Sequence, residues 1–127
     1  MNLNQVTIPS TDLARSLEFY RKLGLKLIVD SIPRYMRLLC PEGETTFSVH
    51  HAPALASGGE GVWIYFESNN LDAEVQRLKG EGIQFEHEAR DQDWLWREAR
   101  LRDPDGHMII LYFAGENRVN PPWKIKD

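Results

Sequence analysis

Leu13-Ala14-Arg15-Ser16-Leu17-Glu18-Phe19-Tyr20-Arg21-Lys22-Leu23-Gly24-Leu25 decides the fold, because the same pattern returns 58 residues later. Leu13 is matched by Leu71, Leu17 by Val75, Tyr20 by Leu78, Gly24 by Gly82, Leu25 by Ile83 and Leu27 by Phe85. The spacing of Leu13, Leu17, Tyr20 and Leu23 predicts an amphipathic helix over Asp12 to Leu23, with Ser10 or Thr11 as N-cap and Gly24 ending it. The second helix is expected over Leu71 to Lys79, with Leu71, Val75 and Leu78 on its buried face.

Working outward, Leu3 to Ile8 reads as a strand ending at Pro9. Leu25 to Val29, Tyr35 to Cys40 and Thr45 to His50 follow the first helix, the last two joined by the turn Pro41-Glu42-Gly43. In the second copy the strands are Val62 to Glu67, Ile83 to Glu86, Trp96 to Arg102 and Met108 to Phe113, with Asp103-Pro104-Asp105-Gly106 as the matching turn. The chain is therefore expected to be α+β, a single domain over residues 1–127 built of βαβββ modules at 3–51 and 61–115, a linker at Ala52 to Gly61 and a tail at 116–127. One helix covers one face of each four-stranded sheet, which leaves the other face as the wall of a cup.

Strand alternation sorts the side chains between those faces. Val6, Ile8, Met36, Leu38, Phe47, Val49, Trp63, Tyr65, Ala99, Leu101, Ile109, Leu111 and Phe113 are expected under the helices. The cup then receives Gln5, Thr7, Tyr35, Arg37, Leu39, Ser48, His50, Val62, Ile64, Phe66, Trp96, Glu98, Arg100, Met108, Ile110 and Tyr112.

Composition limits what such a cup could serve. With 127 residues, 42% hydrophobic and 27% charged, the chain has the proportions of one globular domain. No apolar run approaches the ~20 residues of a membrane-spanning helix, and Met1-Asn2-Leu3-Asn4-Gln5 has neither the basic start nor the apolar core of an export signal. The one cysteine, Cys40, cannot form an intrachain disulfide, so the reducing cytoplasm is the expected compartment, and strand parity places its thiol in the core. Fifteen basic and nineteen acidic residues, interspersed to a net charge of −4, argue against nucleic acid and favour a small-molecule ligand.

The stretch Asp12 to Tyr20 with Leu23-Gly24-Leu25, together with Arg102-Asp103-Pro104-Asp105-Gly106-His107 and the tandem repeat, resembles the vicinal oxygen chelate superfamily. That group contains glyoxalase I, bleomycin-resistance proteins and extradiol dioxygenases. The likeness runs from Val6 to Phe113. It implies a homodimer, and in the family's metalloenzymes a divalent cation held by His or Glu on the cup strands. Matched residue by residue, those ligand positions fall on Gln5, on Ser48 or its neighbour Phe47, on Val62 and on Ile110. Such a set lacks the three or more His, Asp, Glu or Cys donors that a catalytic metal takes. The resemblance is therefore to the metal-free, bleomycin-resistance-like branch, with no cofactor and with binding or sequestration of an organic molecule as its expected activity.

The expected ligand-binding set is Gln5, Tyr35, Arg37, Ser48, His50, Phe66, Trp94, Trp96, Glu98, Arg100 and Tyr112. Aromatic rings would form the walls, and Gln5, Arg37 and Arg100 the orienting polar contacts. A cross-strand ion pair between Glu98 and an arginine is the competing structural reading of those charges. His50 and Glu98 are the candidate catalytic residues if a reaction occurs. The rival activity is a glyoxalase-like lyase or dioxygenase with metal on a displaced set such as His50, Glu98 and Glu86. His50 and His51 point to opposite faces, and Glu86-His87-Glu88 reads as a polar strand end. Trp123, in Pro121-Pro122-Trp123, either closes over the rim or anchors the chain end.

Overall fold

A computed structural model describes residues 1–55 and 61–126. Residues 56–60 of the expected linker lie outside the described residues. The element order is β1 (Gln5–Ser10), α1 (Leu13–Lys22), β2 (Lys26–Ser31), β3 (Tyr35–Leu39), β4 (Thr46–His51), β5 (Trp63–Glu67), α2 (Leu71–Gly80), β6 (Phe85–Asp91), β7 (Arg97–Arg102) and β8 (Met108–Phe113). A 3-10 turn at Gly115–Asn117 follows. The βαβββ repeat and the α+β class stand as expected.

Two compact units divide the chain, one of Met1–Glu60 with Asp103–Gly106, the other of Gly61–Arg102 with His107–Asp127. The first holds a sheet of order β1-β4-β3-β2 and the second a sheet of order β5-β8-β7-β6. In each, the opening strand runs parallel to the closing one and the other pairs are antiparallel. The repeat extends to hydrogen bonds at the helix ends. Gly24 N–H donates to Arg21 and Leu25 N–H to Tyr20, as Gly82 donates to Lys79 and Ile83 to Leu78. This closure needs a left-handed residue after the helix, and Gly24 and Gly82 supply it at φ 97° and 89°.

Several local expectations are corrected. Helix α1 is capped by the Asp12 side chain, which accepts from Arg15 N–H, and not by Ser10 or Thr11. Its buried face is Leu13, Ser16, Phe19 and Tyr20, with Leu17 only half-buried. Ser16 earns that place by bonding to Ser10 Oγ at 2.7 Å and donating to Asp105 Oδ2 at 3.1 Å. Strand β1 does not stop at Pro9 but runs through it to Ser10, which an edge strand tolerates. Strand β6 begins two residues later than expected and reaches Asp91, with two register shifts along its pairing with β7. Cys40 is half-buried, not sealed in the core, and burial pushes its thiol up.

The turn Asp103–Gly106 packs within the first unit. Tyr20 donates its hydroxyl to Asp103 Oδ2 at 2.6 Å. Asp105 accepts from the N–H and hydroxyl of Thr11, at 3.0 and 2.9 Å, and from Arg15 at 3.2 Å. This turn is thus a seat for the start of α1 as well as a link between strands.

Candidate functional site

In the second unit, register defines which side chains share the face of the sheet turned away from the helix. Glu98 and Arg100 on β7 pair with Tyr112 and Ile110 on β8, as strand alternation predicts, and Arg102 pairs with Met108. Strand β5 reverses the expectation. Trp63, Tyr65 and Glu67 pair with Met108, Ile110 and Tyr112, so they share the face of Trp96, while Ile64 and Phe66 pair with Ile109 and Leu111 under the helix. Phe66, expected on the cup face, therefore stands on the helix side, and Trp63 and Tyr65, expected under the helix, stand on the face of Trp96. A usable signal was present, since Glu67 shares parity with Trp63 and Tyr65, and a carboxylate belongs on the more open face.

On that face Trp96 stacks on Tyr112 with ring centroids 4.8 Å apart and planes 21° apart. Tyr65 stands edge-on to both, at 6.0 and 5.4 Å. Met108, Ile110, Tyr112 and Ala114 form a buried floor against which Trp96 packs. Trp63 and Tyr65 are each 41% exposed at its rim. The Arg100 guanidinium lies 4.9 Å from the centroid of the Trp63 ring, within the range of a cation–π contact. Burial raises the Tyr65 phenol, with the Glu98 charge adding to that rise and Arg100 opposing it. Burial also raises Tyr112, with a further contribution from Glu67.

The Trp94-Leu95-Trp96 stretch is held from both sides. Trp94 donates its indole N–H to Glu98 Oε2 at 2.9 Å, and Trp96 donates its own to the Asn117 carbonyl at 3.3 Å. Between them Leu95 takes φ 67°, the one non-glycine residue with positive φ among the described residues. Glu98 is 1% exposed and forms no ion pair among the described residues, so the expected bridge to an arginine is replaced by the bond from Trp94. Trp123 is 59% exposed and makes no ring contact with Trp94 or Trp96.

In the first unit, Tyr35, Arg37, Ser48 and His50 share one face of the sheet, as expected. The Tyr35 hydroxyl bonds to Ser48 Oγ at 2.7 Å and accepts from Arg37 Nε at 2.9 Å. The Ser48 bond, with Arg37 assisting and burial opposing, holds this phenol below its ordinary value. Gln5 Oε1 accepts from the Thr46 hydroxyl at 2.8 Å. His50 is exposed, opposite Tyr35, with Nδ1 3.3 Å from the His51 carbonyl.

The residues at the family's metal positions do not fit a divalent cation. Gln5 and Ser48 offer neutral oxygens already engaged by Thr46 and Tyr35, Phe47 lies in the core, and Ile110 is a fully buried aliphatic. Val62 precedes β5, and the adjacent residue on the open face is Trp63, which ligates no metal either. The displaced set fares no better. Glu86 pairs with Arg102 Nε at 2.9 Å, Glu98 accepts from Trp94 through one oxygen, and no three His, Cys, Asp or Glu converge among the described residues.

A doubled βαβββ module whose sheets each carry a polar or aromatic face opposite the helix is a scaffold for small-molecule sites. The chain belongs to the Glyoxalase/Bleomycin resistance protein/Dioxygenase superfamily, whose family model matches residues 2–111. A glyoxalase/bleomycin resistance protein/dioxygenase from Nocardioides is 22% identical over 99% of this chain and 90% of its own, at TM-score 0.78. A lactoylglutathione lyase from Agrobacterium tumefaciens is 17% identical over 98% and 97%, at 0.74. A bleomycin-binding protein solved with bleomycin is 22% identical over 89% and 98%, at 0.73. Identities this low attest a shared fold. No curated protein sequence matches the chain.

Proposed function

We propose that this protein binds a planar organic molecule on the aromatic face of its second sheet, without a resident metal, and that sequestration of that molecule is its biological activity. The observation that carries this reading is the Trp96–Tyr112 stack with Tyr65 edge-on to both, flanked by Trp63 under Arg100. Such a face matches how ligand sites are built, mostly apolar and aromatic with a few placed polar groups. The likeness in fold to a bleomycin-binding protein and to a bleomycin resistance determinant encoded on transposon Tn5 supports small-molecule binding. The metal-dependent lyase or dioxygenase reading lacks a donor set among the described residues.

On the first sheet, Tyr35, Arg37, Ser48, Gln5 and His50 present a polar face of their own in this reading. The protein works as a homodimer in the cytoplasm, where the half-buried Cys40 thiol stays reduced. Light scattering should return twice the chain mass.

The binding test is a titration of tryptophan fluorescence with bleomycin and a panel of planar aromatic compounds. At least one should saturate, and Trp96→Ala should weaken it about tenfold, the effect of losing a stacking anchor. Unchanged binding of every saturating compound by this variant would overturn the assignment.

A further inference from the structure

We infer that the ligand of the second unit is a planar cation carrying an N–H donor, and that Glu98 is its recognition point; this rests on the binding reading above. Glu98 is 1% exposed, and only one of its carboxylate oxygens is used. Oε2 accepts from the Trp94 indole, whereas Oε1 is buried with no hydrogen-bond partner among the described residues. A buried carboxylate oxygen left unpaired is a large cost, which a donor brought by a ligand removes.

The surroundings select the same sign. Tyr112 lies directly across from Glu98 on β8, Trp96 stacks on Tyr112, and Tyr65 meets both rings edge-on. Aromatic faces carry negative potential, so rings and carboxylate together favour a flat cation. Arg100 is the competing anchor, because its Nε is also buried without an acceptor. Its guanidinium, however, is already placed over Trp63 and the residue is only half-buried, so the unmet demand is greater at Glu98.

Three matched probes decide the matter by isothermal titration. 4-Aminoquinoline is a planar cation at neutral pH with N–H donors, quinoline its neutral counterpart and quinoline-4-carboxylate the anion. On the wild-type protein the cation should bind about tenfold tighter than quinoline or better, the yield of one charge-assisted hydrogen bond, and the anion weakest. Glu98→Gln should remove the preference, so that 4-aminoquinoline and quinoline bind the variant with the same affinity. Equal binding of cation and neutral probe, tighter binding of the anion, or a preference that survives Glu98→Gln would overturn this inference while the binding reading stands. If none of the three binds the wild type, this inference falls, and the titration with bleomycin and the wider aromatic panel decides the binding reading on its own. Should Glu98→Gln fail to fold, the wild-type ranking alone decides.

Discussion

The Tyr20 hydroxyl donates to Asp103 Oδ2 at 2.6 Å across 83 residues of chain, in a site where both residues are buried. Burial, reinforced by the Asp103 and Asp105 charges, pushes the Tyr20 phenol far above its ordinary value. Tyr20→Phe removes a buried donor from a carboxylate and should cost about 1–3 kcal/mol. Urea unfolding of that variant checks it, and a midpoint equal to wild type would show that the bond contributes nothing to stability.

Asp105 extends the same anchoring into acid. Burial alone would raise its carboxyl, but hydrogen bonds from Ser10, from the Thr11 N–H and hydroxyl, and from Ser16 outweigh that and lower it. A carboxyl depressed in the folded state stabilises the protein above its unfolded value near 3.8, and that contribution is lost as pH falls through the folded one. Melting temperature should therefore drop below about pH 4 in the wild type, and the drop should be shallower in Asp105→Asn, which starts from a lower stability.

Alkaline titration separates the four tyrosines. Tyr35 should ionise first, below the ordinary phenol range, while Tyr65, Tyr112 and Tyr20 should ionise above it. Groups raised in the folded state bind protons that the unfolded chain has released, so stability should fall as pH rises beyond about 10. Phenolate absorbance against pH reads this directly. In Tyr35→Phe the earliest step should vanish and the later ones remain.

Leu95, at φ 67° between the two indoles, stores backbone strain of about 1–2 kcal/mol. Leu95→Gly should leave the thermal midpoint level or higher yet weaken binding of any planar ligand, because the Trp94 and Trp96 rings lose a rigid hinge. Leu95→Val, with a β-branched side chain at the same angle, should lose about 1–2 kcal/mol. Comparing melts of the two variants separates strain from side-chain packing.

The sequence alone determined the doubled βαβββ module, because helix periodicity and the glycine after each helix are local properties that repeat 58 residues apart. It also placed Tyr35, Arg37 and Ser48 together, and Trp96, Glu98, Arg100 and Tyr112 together, on the sheet faces turned away from the helices, since alternation within one strand is fixed by the pleat. What alternation leaves open is which parity faces the helix. On β5, where both sets of side chains are apolar or aromatic, only the parallel register with β8 decided it, bringing Trp63 and Tyr65 to the face of Trp96 and Tyr112 and Phe66 away from it. Tertiary structure alone also seated Asp103 and Asp105 against Tyr20, Thr11 and Ser16, and replaced an arginine by Trp94 as the partner of Glu98. Those outcomes depend on groups far apart in the chain or on the backbone path of one loop, such as the left-handed turn at Leu95, which no residue pattern encodes locally.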